Sequence, residues 1–136
     1  MKEKISDREL FELAKGARKR SYSPYSGISV GAALLTGSGK VYTGANIENA
    51  AFSPSVCAER VAIFTAIHAG ERELVAIAVA GGENGKKETP LFTPCGVCRQ
   101  VMAEFCTSDF KIVLSEDEAL TLGELLPYGF NKEKIK

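Results

Sequence analysis

Net charge is the first thing this chain of 136 residues lacks, because seventeen basic and seventeen acidic side chains cancel. Without an excess of positive charge there is no global attraction to a polyanion, which argues against stable binding to nucleic acid or an anionic membrane surface. No apolar run approaches the roughly 20 residues of a membrane span, and Met1-Lys2-Glu3-Lys4-Ile5 is charged rather than a secretory leader, so a soluble cytoplasmic protein is expected. Repeats, linkers and low-complexity segments are missing as well. Residues 1–136 therefore read as one domain, long enough to bury roughly 65–70% of its unfolded surface. Histidine occurs once, as His68, about three turns beyond Cys57 on the expected helix. A separation of roughly 16 Å along that axis removes it from metal or catalytic duty.

What is present is a clear succession of elements. Ser6-Asp7-Arg8-Glu9 has the pattern of a capping box, and Leu10, Leu13, Ala14 and Ala17 recur at helical spacing, predicting a first helix to about residue 20. Arg18, Lys19 and Arg20 at its end complement the helix dipole and are expected to project into water. A loop over 21–27 leads into a buried strand at 28–35, which turns through 36–40 into 41–43 as an antiparallel hairpin. A helix from 55 or 56 to about 69 places Cys57 and Glu59 in its first turn. Residues 74–80 read as a central strand covered on both faces, followed by a polar, mobile loop over 81–93. Cys95 and Cys98 open another helix, with both sulfurs on one side at i, i+3. A strand at 110–114 and a short helix at 122–126, stopped by Pro127, complete an α/β chain. The expected architecture is a mixed sheet of about five strands between helices.

Chemistry is concentrated in Cys57-Ala58-Glu59-Arg60 and Pro94-Cys95-Gly96-Val97-Cys98-Arg99-Gln100. Thiolates with C-x-x-C spacing suit Zn²⁺, which takes three protein ligands where it must keep a position open for a reactive water. Cys57, Cys95 and Cys98 supply three, and Glu59 stands close enough to face the open position as a proton shuttle while staying off the metal. Cys106 could close a four-cysteine structural site only if the helix broke early. On a continuous helix it lies about 12 Å from Cys98, too far for sulfurs that share one ion, and it reads as a small core residue. Disulfides are disfavoured without a secretory context. A redox pair at Cys95 and Cys98 would have no need of Cys57 and Glu59. Three thiolates around Zn²⁺ leave one excess negative charge, which two helix N-termini and Arg60 are available to offset. Asn46 and Glu48 alternate with Ile47 and share a face, an arrangement that suits either sugar hydroxyls or ordinary strand-end hydrogen bonding.

These two motifs have the form of the zinc nucleobase deaminases. Together with Tyr25-Ser26, Val30-Gly31-Ala32-Ala33-Leu34, Asn46-Ile47-Glu48-Asn49-Ala50 and Glu124-Leu125-Leu126-Pro127, they make the chain resemble cytidine deaminases of the small homotetrameric kind, from about residue 22 to 130. The resemblance implies a three-layer α/β/α cytidine deaminase-like fold and one Zn²⁺ per chain on Cys57, Cys95 and Cys98. It implies hydrolysis of cytidine and deoxycytidine to uridine and deoxyuridine plus ammonia, as in pyrimidine salvage, with Glu59 moving protons from water to N3 and the leaving amine. Asn46 and Glu48 would hold the ribose, backbone groups near Ala58 would read the pyrimidine, and Arg60 would offset charge on the sulfurs. Phe52 and Phe130 match pocket positions supplied by neighbouring subunits.

Two residues depart from the family's usual pattern: Ile28 stands where a stacking Phe is usual, and Phe52 where Tyr is common. They bear on affinity and substrate preference. A deaminase of another cytosine compound, such as blasticidin S, is the nearest rival reading, and the Asn46-Ile47-Glu48-Asn49-Ala50 block weighs against it. A zinc-stabilised interaction domain and a nucleic-acid editor are more distant, opposed by the open metal position and by the balanced charge.

Overall fold

A computed structural model gives the fold and describes residues 5–135, so the charged stretch 1–4 lies outside it. The elements are α1 (Asp7–Ala17), β1 (Ile28–Thr36), β2 (Val41–Ala45), α2 (Ala58–His68), β3 (Leu74–Glu83), α3 (Gly96–Phe105), β4 (Lys111–Val113), β5 (Ala119–Thr121) and α4 (Leu122–Leu125). The strands form one sheet in the order β2-β1-β3-β4-β5. Only β3 and β4 run parallel, the other neighbours being antiparallel. The sheet is therefore mixed, as expected. Among the described residues no helix is long and apolar enough to cross a membrane.

Side-chain alternation along the strands divides the core into two layers. Leu10, Phe11 and Ala14 of α1 pack on Ala33, Ala76, Ala78 and Val113, forming one face. On the other face Ala58, Ala62 and Ile63 of α2, with Cys98 and Met102 of α3, cover Ala32, Leu34, Ile77 and Ile112. Helices on both sides of the sheet make the α/β/α architecture that the sequence implies.

α1 starts as predicted, with Ser6 Oγ accepting from the Glu9 amide at 3.1 Å and Glu9 Oε1 accepting from the Ser6 amide at 2.9 Å. Its helical course also runs to Arg20 as expected, the α-helix ending at Ala17 and a 3-10 turn covering Arg18–Arg20, but Arg18, expected in water, is only 9% exposed. Its Nε donates to the Ser29 carbonyl at 3.0 Å and its Nη2 to the Glu83 carbonyl at 3.0 Å. The cause is the closeness of α1 to β1. A Cβ on Gly31 would collide with the Ala14 carbonyl and lie 2.7 Å from the Arg18 amide, so the residue ending the helix points down onto the sheet. Lys19 and Arg20 are exposed, as expected.

A second difference lies at Gly81 and Gly82, read from sequence as the start of a loop. β3 continues through both to Glu83 and pairs along the whole of β1, from Ile28 opposite Glu83 to Thr36 opposite Leu74. These glycines serve close approach rather than turning. A Cβ on Gly81 would meet the Phe92 ring, and one on Gly82 would meet the Glu88 carbonyl and the Arg18 guanidinium. The edge strand β5, with three residues, carries too short a pattern to show alternation, and it leads directly into α4 through a second capping box between Thr121 and Glu124.

Gly44 seats the helix that carries the site. Its absent side chain lets α2 lie on β2, since a Cβ there would stand 2.7 Å from the Ala62 amide and press on the Ala58 carbonyl. Gly44→Ala is expected to destabilise the protein by about 1–3 kcal/mol. Urea unfolding should report a lower midpoint with an unchanged slope.

Candidate metal centre and active site

The two cysteine motifs meet because each helix begins at its first cysteine. Val56 is held extended by paired backbone hydrogen bonds with Ile47, at 2.9 and 3.0 Å. The helical turn therefore cannot start until Cys57, which is the N-cap of α2 rather than a first-turn residue. Cys95 is likewise the N-cap of α3, with Cys98 in the first turn and fully buried. Neither sulfur caps its own helix, and both helices turn their positive ends toward the cluster.

Cys57 Sγ lies 3.6 Å from Cys95 Sγ, which lies 3.6 Å from Cys98 Sγ, and the three fall within 4.8 Å of one another. Bonds of about 2.3 Å at tetrahedral angles set ligand sulfurs about 3.8 Å apart, so the donor set fits Zn²⁺. The same spacing is nearly twice a disulfide's S–S length of about 2.05 Å, and all four cysteines are free. Cys106 is the C-cap at the opposite end of α3, where burial pushes its thiol up to about 12. It packs against the core and belongs to no metal cluster among the described residues.

Charge at the cluster is placed unevenly. The Cys57 thiol is drawn down to about 5 by a hydrogen bond from Cys98 and then by Arg60, whose Nη2 donates to Cys57 Sγ at 3.6 Å. Cys98, as that donor and in a buried position, is pushed up. Arg60 Nε is buried with no hydrogen-bond partner among the described residues, so the guanidinium that reaches Cys57 has a donor in reserve. Glu59, one residue earlier, is 3% exposed, and burial pushes its carboxyl up to about 7, with the neighbouring Cys57 charge adding to the effect. A carboxyl so placed can take and return a proton near neutral pH.

Glu59, Cys57 and Cys95 open onto a cleft of about 840 Å³. That volume lies within the range of small-molecule sites. Asn46 and Glu48 line it too, and each also holds the surrounding chain in place. Asn46 Oδ1 accepts from the Val30 amide at 2.8 Å and from Ser21 Oγ at 2.6 Å, while Nδ2 donates to the Ile28 carbonyl at 2.9 Å. Glu48 accepts from Ser26 Oγ at 2.5 Å and from the Ser26 and Tyr25 amides at 3.1 and 2.9 Å, which holds it below the usual carboxylate range. The pair thus lines the cleft and fixes the surrounding backbone at the same time.

Ala58 lines the cleft from beneath, and Phe52 stands at its rim, 89% exposed. Ile28 does not line it; Val30, two residues on, does. Phe130 is exposed and away from this cleft, its carbonyl accepting from Gln100 Nε2 at 2.7 Å. The sequence reading missed Phe92, a lining residue inside the stretch taken as a polar loop. The available signal was the apolar pair Leu91-Phe92 just ahead of the cysteine motif.

Comparison with known proteins agrees with this geometry. The family described as the cytidine and deoxycytidylate deaminase zinc-binding region matches residues 4–114. A cytidine deaminase of Halalkalibacterium halodurans is 47% identical over 130 residues, covering 93% of this chain and 95% of that protein. One of Sporosarcina psychrophila is 43% identical over 131 residues, with 93% of each covered. The crystal structure of a cytidine deaminase from Burkholderia pseudomallei superposes with a TM-score of 0.82 at 42% identity, covering 93% of this chain and all of that one. A zinc-type cluster at two helix starts, a buried carboxyl beside it and these matches together place the chain in the cytidine deaminase family.

Proposed function

We propose that this chain hydrolyses cytidine and deoxycytidine to uridine and deoxyuridine, releasing ammonia, with one Zn²⁺ per chain held by Cys57, Cys95 and Cys98. The observation that carries the reading is the Glu59 carboxyl, buried beside the three sulfurs and open to the cleft. Zinc supplies the acidity that makes a water nucleophilic near neutral pH. Glu59 would take a proton from the attacking water and hand protons to N3 and to the departing amine of the base. Water and cytidine go in, uridine and ammonia come out, and Glu59 ends as it began. Arg60, hydrogen-bonded to Cys57, spreads the excess negative charge of the thiolates.

Glu48, kept ionised by Ser26, retains an acceptor site on Oε2 for a ribose hydroxyl, and Asn46 fixes the wall beside it. Backbone groups at the start of α2 around Ala58 read the pyrimidine. Phe52 and Phe130, 89% and 58% exposed, are large apolar rings left in water by one chain alone. Their exposure supports a homotetramer in which neighbours bury these rings and complete each other's pockets. Residues 1–136 act as one domain, a nucleoside is the partner rather than a nucleic acid, and four free thiols favour the reducing cytoplasm.

Loss of the cytidine absorbance band on adding purified protein, with zinc assayed in the same sample, tests the assignment. Turnover at about one zinc per chain is the expected result. A zinc-loaded protein inert to both cytidine and deoxycytidine would overturn the substrate assignment.

A further inference from the structure

We infer that Phe92 is the aromatic wall against which the pyrimidine ring of the substrate packs, an inference that rests on the deaminase reading above. The floor of the cleft explains why. Val30 on β1 lies opposite Gly81 on β3, and Val79 points the same way as Gly81. Val30 and Val79 line the cleft, so a glycine leaves a gap in an apolar floor. The Phe92 ring fills it. A Cβ on Gly81 would lie 2.7, 2.8 and 2.9 Å from Cγ, Cδ1 and Cδ2 of that ring. Such near-equal distances require that the ring turn one face to the strand. Phe92 is half-buried and lines the cleft, so the face turned away from the strand is the one available to a ligand.

The ring's position is tied to the reacting centre. Phe92 precedes Cys95 by three residues, and the chain between them includes Pro94, which is fully buried and whose carbonyl accepts from Arg99 Nε at 2.7 Å. Two other aromatic residues border the cleft, Tyr25 at 62% and Phe52 at 89% exposure, so neither is held in place as Phe92 is. Ile28, at the position where the resemblance calls for a stacking aromatic, neither carries an aromatic ring nor lines the cleft. Phe92 therefore offers the pyrimidine a fixed π-face that Ile28 does not, and an offset-stacked ring pair gains affinity beyond the area it buries.

Steady-state kinetics on cytidine with Phe92→Ala and Phe92→Leu test this. KM is expected to rise about tenfold in Phe92→Ala and less in Phe92→Leu, with kcat within about threefold and zinc content unchanged. Gly81→Ala provides a second arm, since the three atoms nearest its methyl group all belong to the Phe92 ring, which it displaces. It should raise KM alone and add nothing further in the Phe92→Ala background. Unchanged KM in zinc-loaded Phe92→Ala, or full additivity of the two changes, overturns the role of Phe92. If Phe92→Ala fails to fold, Phe92→Leu and Gly81→Ala still decide it. A wild-type protein without cytidine turnover would instead sink the function assignment, which separates the two failures.

Discussion

Glu59→Gln is expected to lower kcat on cytidine by about 10³-fold while zinc content stays at the wild-type level. The amide keeps the size of the carboxyl and can still accept a hydrogen bond, but it cannot take a proton from water or return one to the amine. Because Glu59 is only 3% exposed and burial opposes its ionisation, the neutral amide relieves a desolvation cost. Thermal stability should therefore be equal to or above that of the wild type. Cytidine should bind the variant, which isothermal titration would read directly. Near-normal turnover in the variant would remove Glu59 from the shuttle role.

Loss of the metal is expected to have the next largest effect. Cys98→Ala should end measurable turnover, abolish stoichiometric zinc and lower the melting temperature, because Cys98 is both a proposed zinc donor and a fully buried core residue. Chelation of the wild type should reproduce the loss of turnover, with partial return on adding zinc. A metal present at about 1,000 times its dissociation constant stabilises the folded chain by about 4 kcal/mol, and calorimetry should show a shift of that order between the two forms. Cys106→Ala is the control, since it lies at the other end of α3 and should keep both zinc and activity. Stoichiometric zinc in Cys98→Ala would mean that the donor set has been misassigned.

Much of the site was legible because its chemistry is local in sequence. The C-x-x-C pair, Glu59 two residues after Cys57, and the capping box at Ser6 are each decided within a few residues. The hydrophobic pattern likewise located β1, β3 and the three long helices. What stayed hidden depends on residues far apart. Arg18 looks like one of three solvated basic residues until α1 is laid on Gly31 and its guanidinium reaches Ser29 and Glu83. Gly81 and Gly82 look like a loop because glycine usually signals a turn, whereas here they admit Phe92 and Arg18. Asn46 shows the intermediate case: its side of the strand was readable, but not its three bonds to Val30, Ser21 and Ile28.

The N-cap positions of Cys57 and Cys95 also bear on the entropy of the unfolded chain. The two sulfurs are 38 residues apart, so a metal held by both closes a loop that contains α2 and all of β3. If the ion stays on these thiolates after unfolding, the loop removes roughly 4 kcal/mol of conformational freedom from the denatured chain, as a cross-link of that span does. Refolding with zinc in place then begins with the hairpin half and the α3 half already tethered. Zinc supplied after unfolding must wait for the sheet to bring its ligands together.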